Sequence, residues 1–254
     1  GDPTIQTVVI GPVGENKVKF ACFMVSRYNS ASRGGIGAVF GSKNLKGIAC
    51  RGTGGLRPAK GKEYFALARK VRGELAADAG SETLHNWGTA GSVPGLNEMG
   101  MLPAYNFSHV TIGHAERLSG QYLLSEGYLI GRESCFACST ACHRYVKSRS
   151  KRWGELQDSG PELETVMSLG AECGITDTEA VLEANHLCND LGMDTISVGH
   201  VISWAMETYE KGLITPEQSE GLELRFGNAE EQLALIQHIA RRKGFLGDLL
   251  AEGT

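Results

Sequence analysis

The feature that most constrains the fold is a change of pattern near residue 55. Before it, short β-rich runs occupy residues 7–10, 18–24 and 48–51. After it, apolar residues recur with the helical period between residues that start and stop helices. The sequence therefore predicts a mainly α fold. A multihelical domain without a sheet of its own covers residues 56–254, and the β-strand tail of an N-terminal β-rich domain precedes it at residues 1–55.

Capping residues mark the helix boundaries in the second half of the chain. Thr176 and Glu179 form a capping-box pattern ahead of an apolar stripe, and Gly192 can end that helix. Asp194 can cap the next helix through its carboxylate. The segment 189–194 is accordingly interpreted first as two caps and a turn between two helices.

Other segments follow from the same signals. A helix is predicted over residues 62–77, further helices start at residues 215–218 and 228–231, and residues 86–110 look like a loop. The glycine-rich stretch at residues 32–42 suits a tight turn between strands.

Composition excludes several classes of protein. Hydrophobic residues make up 41% and charged residues 21% of the 254 residues, with a net charge of −4, so nothing indicates nucleic acid or an anionic membrane as partner. No apolar run approaches the length of a membrane span. Seven cysteines, an odd number at uneven spacing, do not fit a disulfide framework and favour a reducing, cytoplasmic compartment.

Three cysteines form the sharpest chemical signal. Cys135, Cys138 and Cys142 have C-x2-C-x3-C spacing, which lets one short segment supply several thiolates to a soft metal or an iron–sulfur cluster. A cubane cluster needs a fourth ligand from elsewhere. Zinc is the alternative metal because His143 adjoins Cys142, although neighbouring residues are awkward as ligands of one ion.

A second group, Arg33 with Gly34 and Gly35, could bind phosphate. Glycines let backbone amides approach an anion, and an arginine adds a two-pronged donor. The stretch is neither a Walker loop nor the dinucleotide-binding glycine motif, so by itself it is a weak signal.

Several motifs in order resemble the aldehyde:ferredoxin oxidoreductase family. They are residues 11–16 (GPVGEN), 32–46 (SRGGIGAVFGSKNLK), 97–107 (NEMGMLPAYNF), the cysteine triplet, 160–165 (GPELET) and 189–197 (NDLGMDTIS). Their order and spacing agree with the family over nearly the whole chain.

The resemblance implies a redox enzyme with two centres. A tungsten (or molybdenum) atom is held by two pyranopterins bridged through phosphates and Mg, and a [4Fe-4S] cluster passes electrons to ferredoxin as a small aldehyde becomes a carboxylate. By motif match Cys135, Cys138 and Cys142 are cluster ligands. A paralogue acting on another substrate, such as an aromatic thioester, remains an alternative, as does a non-catalytic iron–sulfur or zinc module. A homodimer is possible.

The resemblance also assigns the remaining site residues. The phosphate and Mg would be bound by Arg33, Gly34 and Gly35, and Glu162 would lie near the metal centre, where an acid can orient water or move a proton. One pterin would be bound by Asn189, Gly192, Met193 and Asp194. This last motif is D-x-x-G-L-[DC] in the family, so Asn189 and Met193 depart from it, and Asn189 loses a carboxylate.

The resemblance further implies that this chain is the central portion of a longer one. The family's final helical domain has no counterpart here. That domain normally supplies the fourth cysteine and the second pterin motif. Residues 1–254 alone are therefore expected to be inactive. Cys173 and Cys188 lie in helical patterns and are expected to be core residues rather than substitute ligands.

Overall fold

A computed structural model describes residues 4–26, 29–31 and 33–254 of the chain; Ser32, the first residue of the glycine-rich stretch, lies outside these ranges. The strands are β1 (Gln6–Val9), β2 (Phe23–Val25), β3 (Asn29–Ala31), β4 (Gly47–Cys50), β5 (Leu129–Glu133), β6 (His143–Ser150) and β7 (Gly154–Ser159). The α-helices are α1 (Pro12–Glu15), α2 (Ile36–Ser42), α3 (Gly61–Ala76), α4 (Ala79–Trp87), α5 (Val93–Glu98), α6 (Gly120–Ser125), α7 (Leu163–Thr165), α8 (Thr178–Leu191), α9 (Thr195–Glu210), α10 (Ala229–Arg241) and α11 (Gly244–Leu250).

The β-rich beginning is confirmed. Strands β3, β2, β1 and β4 form one antiparallel sheet in that order. The predicted strand over residues 18–24 is shorter than expected, because only Phe23–Val25 pairs within the sheet. The residues before it are buried instead: Val18 and Ala21 are fully inaccessible to solvent, and this segment crosses the core.

The helical half contains a sheet, so the expectation that it has none is wrong. Strands β5, β6 and β7 pair antiparallel in that order. Along β6, buried positions alternate with more exposed ones, as in a strand with one face covered. Three of the four buried positions are polar, namely Arg144, Ser148 and Ser150, beside Val146. Because the inward face is not apolar, the sequence lacks the alternation that announces a strand.

The glycine-rich stretch is largely a helix rather than a turn. Gly34 and Gly35 have φ of 103° and 68°, and α2 starts directly after them. A Cβ on Gly41 would lie 1.8 Å from the Gly14 carbonyl oxygen, so only glycine lets α2 pack this closely against α1. The later glycines of the stretch therefore serve packing.

One hydrophobic core joins the β-rich start to the helices. It contains residues of the 13–21 segment together with buried residues of α8, α9, α10 and α11. A smaller cluster of Leu123, Val146, Leu156 and Leu182 packs the second sheet against α6 and α8. Helix α3, close to the predicted residues 62–77, buries none of its residues among the described parts of the chain.

Backbone contacts attach the β-rich start to the junction of α8 and α9. The Cys22 N–H donates to the Gly192 carbonyl (2.9 Å), and the Asp194 N–H donates to the Phe20 carbonyl (3.1 Å). A Cβ on Gly11 would lie 2.0 Å from the Leu191 carbonyl oxygen, so the chain at Gly11 touches the end of α8 directly. This attachment leaves no room for a larger residue at Gly11.

Three predicted caps are confirmed and one is displaced. Gly192 ends α8 in the left-handed region, Asp194 caps α9 and Asn228 caps α10. The N-cap of α8 is Asp177 rather than Thr176. Its carboxylate accepts from the backbone N–H groups of Glu179 (3.0 Å) and Ala180 (3.4 Å), and a carboxylate is at least as good a cap as a hydroxyl.

Two segments differ from their predicted structure. The reciprocal cap bonds between Thr215 and Gln218 do form, at 2.9 and 3.3 Å, but no helix follows in this part of the described chain. Glu220 and Gly221 take positive φ values and end the structure after one turn. The predicted loop at residues 86–110 contains a short helix, α5, and a 3₁₀ turn at Thr89–Ser92.

Among the helices of the described residues, none combines the length and apolar character needed to cross a membrane.

We expect Asp177→Ala to weaken the first turn of α8 by about 1 kcal/mol, because two backbone N–H groups lose their acceptor. Hydrogen exchange of the Glu179 and Ala180 amides in the full-length protein measures this loss, as exchange faster by roughly fivefold. Thr176→Ala is the matched control and should change the exchange of these amides by less than about 0.5 kcal/mol in equivalent free energy. A larger effect of the substitution at residue 176 than of that at residue 177 would show that Thr176 is the N-cap of α8.

Candidate active site

An open cavity of about 250 Å³ lies where three parts of the fold meet. Residues of β2 and β3 form one wall, the segment that leads from β7 into α7 forms the second, and the α8–α9 junction forms the third. Four predicted site residues line this cavity: Glu162, Asn189, Met193 and Asp194. Gly192 lies at the same junction, where its carbonyl bonds to the Cys22 backbone rather than facing the cavity.

Asp194 joins two predicted parts of the site. Its side chain is 1% exposed, and its Oδ2 accepts from both the backbone N–H and the hydroxyl of Ser197. The guanidinium of Arg33 lies 3.5 Å from the same oxygen, with 56% of the arginine side chain exposed. The arginine beside Gly34 and Gly35 therefore reaches the buried Asp194 while more than half of its side chain stays exposed, where it could contact an anion.

Asn189 presents its amide in a fixed orientation. Its Nδ2 donates to Asp158 Oδ2 (3.2 Å) and to the Ser159 carbonyl (3.3 Å). Both neighbours can only accept, so the nitrogen must face them and the oxygen must face away. Asn189 lines the cavity, and its oxygen points away from those two acceptors. The residue thus keeps a hydrogen-bond acceptor at the position where the family motif has a carboxylate.

Asp158 organises this wall from behind. Its Oδ1 accepts from the Ser159 backbone N–H (2.7 Å), and its Oδ2 accepts from His186 Nδ1 (2.9 Å) as well as from Asn189. The hydrogen bond to Asp158 is the main cause of a raised pKa of His186. Asp158 thereby fixes the side chains of both His186 and Asn189.

Glu162 has one satisfied and one unsatisfied oxygen. The Thr89 hydroxyl donates to Oε2 of Glu162. The oxygen of that hydroxyl accepts from the Leu163 backbone N–H (2.9 Å). Oε1 is buried and has no hydrogen-bond partner among the described residues, and His143 Nδ1 lies 3.6 Å from it. A buried carboxylate oxygen without a partner fits a polar ligand in this cavity.

The cysteine segment lies between β5 and β6, beside this cavity. Cys135 and Cys138 are exposed and Cys142 is half-buried. A hydrogen bond from the Thr140 backbone lowers the pKa of the Cys138 thiol, whereas burial, with smaller effects from Glu162 and the other two cysteines, raises that of Cys142. Within the described ranges no three ligand side chains are already arranged around one point, so the convergence of the three sulfurs stays a prediction.

His143 connects the cysteine segment to the cavity. Its Nε2 lies 3.5 Å from Cys135 Sγ, and its Nδ1 lies 3.6 Å from Glu162 Oε1. The imidazole, 18% exposed, also lines the cavity. His143 therefore stands between a predicted cluster ligand and the predicted acid.

Three of the four cysteines outside the triplet are buried, and Cys50, at the end of β4, is exposed. Cys173 and Cys188 are fully inaccessible, and burial raises the pKa of both thiols, which agrees with the expectation that they are core residues. Cys22 lines the cavity, and burial, with Asp194 nearby, raises its pKa to about 12. A thiol with that pKa stays protonated at neutral pH and is a poor metal ligand.

Sequence reasoning missed four residues of this arrangement: Thr89, His143 as a connector, Arg144 and Asp158. Thr89 sits in a segment taken for a loop, and Asp158 sits on a strand that was not foreseen. The only available signal was the position of His143 and Arg144 directly after Cys142.

The polar cavity and the neighbouring segment with three thiols fit a redox-cofactor protein. Sequence profiles described as the N-terminal domain and as domains 2 and 3 of aldehyde ferredoxin oxidoreductase match residues 1–52 and 66–254. The chain belongs to the aldehyde ferredoxin oxidoreductase family.

Individual relatives agree. The chain is 41% identical over 259 residues to the tungsten-containing aldehyde ferredoxin oxidoreductase of Pyrococcus furiosus. It is 31% identical over 252 residues to the WOR-like subunit of an aliphatic sulfonate oxidoreductase from the same organism. All or nearly all of the chain is aligned, but it spans only 41% and 39% of those two proteins.

The fold has a solved counterpart. The active-site complex of benzoyl coenzyme A reductase with 1,5-dienoyl-CoA superposes with a TM-score of 0.78 and 25% sequence identity. The match covers 100% of this chain and 39% of that one.

We expect Asn189→Asp to destabilise the protein at pH 7, because it sets a second carboxylate against Asp158 and raises the pKa of one of the two. The penalty should vanish below about pH 4, where a carboxyl group is protonated in the folded and the unfolded state alike. Adding Asp158→Asn should restore stability, with a coupling free energy of about 1 kcal/mol or more in a double-mutant cycle of urea unfolding. Additive effects of the two substitutions would separate Asp158 from Asn189.

Proposed function

We propose that the full-length protein oxidises aldehydes to carboxylic acids and passes the electrons to ferredoxin. The observation that carries this proposal is one juxtaposition. Glu162 and three residues of the pterin motif line a single cavity, and His143 links that cavity to the cysteine segment. The 41% identity to tungsten-containing aldehyde ferredoxin oxidoreductase gives the same direction.

The residues of this chain divide among the groups that the proposal requires. Cys135, Cys138 and Cys142 would bind a [4Fe-4S] cluster, with the fourth ligand outside this chain. Arg33, with the positive-φ backbone of Gly34 and Gly35, would bind the pterin phosphate and its Mg. Asn189, Gly192, Met193 and Asp194 would contact one of two pyranopterins, Asn189 through its outward oxygen.

When bound, the tungsten (or molybdenum) centre supplies the two-electron chemistry, and the cluster carries those electrons onward singly. Conversion of an aldehyde and water to a carboxylate releases protons as well as electrons. Glu162 suits a proton carrier, because one oxygen is held by Thr89 while the other is unpartnered. His143 lies next to that free oxygen and can receive or return the proton.

A second candidate is reduction of an aromatic thioester. The structural match to a benzoyl coenzyme A reductase complex favours it. The two functions differ in what the cavity must admit and in the direction of electron flow. Metal analysis of the anaerobically purified full-length protein, followed by viologen-linked assays with a panel of aldehydes and an aryl-CoA thioester, distinguishes them. Zinc alone in the protein would contradict both.

The proposal also includes the electron acceptor, the substrate, the compartment and the association of two copies. The electron acceptor is ferredoxin, the substrate a small aldehyde, the compartment the cytoplasm, and two copies of the chain could associate. Gel filtration of the full-length protein and reduction of purified ferredoxin test these points separately.

We expect Glu162→Gln in the full-length protein to lower kcat about 10²- to 10⁴-fold, the usual contribution of a general acid or base. Tungsten and iron contents should stay unchanged, because glutamine keeps the Thr89 hydrogen bond. Glu155→Gln, an equal change at an exposed position of β7, is the control and should leave kcat unaltered. A fully active Glu162→Gln enzyme would remove Glu162 from the proton path.

We expect Arg33→Ala to lower pterin and tungsten occupancy more than folding stability. A charge-assisted hydrogen bond to phosphate contributes about 1.5–3 kcal/mol to binding. The exposed end of the Arg33–Asp194 pair contributes little to stability, because Asp194 keeps both Ser197 hydrogen bonds. Tungsten by mass spectrometry and unfolding by calorimetry give the two quantities. Unchanged tungsten content would contradict the assignment of Arg33.

A further inference from the structure

Arg144, the second residue of β6, is a buried cation that none of the sequence motifs explains. We propose that Arg144 is the permanent counter-charge of the cluster held by the cysteine segment, and that its burial raises the reduction potential of that cluster. The inference rests on the proposed function, because it needs a cluster at Cys135, Cys138 and Cys142.

The side chain is almost completely enclosed. Arg144 is 1% exposed and is among the largest fully buried side chains of the described residues. Gly88, at φ 65°, closes over it: a Cβ there would lie 3.1 Å from Arg144 Nε and 3.1 Å from the Cys142 carbonyl oxygen. Arginine is rarely buried to this degree unless its charge has a partner.

The hydrogen-bond acceptors of the Arg144 guanidinium are carbonyl oxygens. Arg144 donates to Asn86 O (2.9 Å), to Leu84 O (3.5 Å) and to Ala141 O (2.9 Å). The first two belong to the last turn of α4, which carries the partial negative charge of the helix dipole. The third belongs to the residue before Cys142. Arg144 therefore ties the third cysteine to the end of a helix.

Carbonyl dipoles leave most of the charge uncompensated. Among the described residues no carboxylate pairs with the guanidinium within 4.0 Å: Glu162 acts on it only from a greater distance, and the Arg144 Nε has no acceptor. Arg132, a second cation, is its direct partner across the β5–β6 pair. Like charges opposite each other in a sheet are unfavourable, and so is an unpaired buried charge.

An anion close to Cys142 resolves this imbalance. A cluster ligated by thiolates carries net negative charge, and one-electron reduction adds another negative charge. A cation buried beside the ligand segment favours the reduced form more than the oxidised one, because water and salt do not screen it. If Arg144 served only to hold α4 against β6, a neutral side chain of similar size could replace it at lower desolvation cost.

The test is a redox titration of the cluster in the full-length protein, with dithionite as the electron donor and the reduced cluster followed by electron paramagnetic resonance. Three variants are compared: Arg144→Met, which removes the charge; Arg144→Lys, which keeps the charge but loses the planar fork; and Arg132→Met. Arg132 is the matched control, since it also donates to α4 carbonyls, at His85 and Asn86, but is exposed to solvent.

We expect Arg144→Met to shift the ratio of reduced to oxidised cluster at least about tenfold toward the oxidised form, equivalent to 59 mV for one electron. Arg132→Met should shift it far less, because solvent screens an exposed charge. Arg144→Lys should keep a potential close to that of the unaltered protein while losing iron faster to a chelator, since the tie to the Ala141 carbonyl is weakened.

Each outcome decides the inference. An unchanged potential in Arg144→Met with full iron content overturns it, as does an equal shift in Arg132→Met. If Arg144→Met does not fold, Arg144→Lys decides. A retained reduction potential in Arg144→Lys supports the counter-charge role, because lysine keeps the charge. A potential lowered as much as is expected for loss of the charge overturns that role. Absence of a cluster from the unaltered full-length protein would instead contradict the proposed function.

Discussion

The site depends on the attachment of residues 11–22 to the left-handed turn at Gly192, which ends α8. Two backbone hydrogen bonds and the direct contact at Gly11 hold this attachment, and all three are made by backbone atoms. Because the contact is made by backbone atoms, it sets the distance between the β-rich start and α8 within narrow limits. Cavity residues lie on both sides of this contact, Cys22 and Met24 on one side and Met193 and Asp194 on the other.

Two of the three carboxylates that line the cavity, Asp194 and Glu162, have different surroundings. Asp194 is fully buried, caps α9 and faces Arg33, so its charge is compensated in the folded protein. Glu162 has one oxygen held by Thr89 and one without a hydrogen-bond partner, with His143 Nδ1 3.6 Å from the latter. These surroundings suit Asp194 to a structural role, and they suit Glu162 to the exchange of a proton.

Sequence patterns predicted the elements whose signals are local. The caps Asp194 and Asn228 and the stop at Gly192 depend on a few neighbouring residues, and they are confirmed. The motifs also led to the family. What could not be predicted depends on distant contacts. Strand β6 turns polar residues inward, and Asp158 gains its role from residues of α8 that lie about thirty positions further along the chain.

Strand β6 is the element that turns the cysteine motif into part of a site. Successive residues of a strand point to opposite faces, so His143 contacts Cys135 and Glu162 while Arg144 is buried against α4. On a helix these neighbours would lie only about 100° apart around the axis, and one could not reach the cavity while the other reached α4. A one-residue slip in pairing would exchange the two faces. The register of β6 therefore decides both the link to the acid and the burial of the cation.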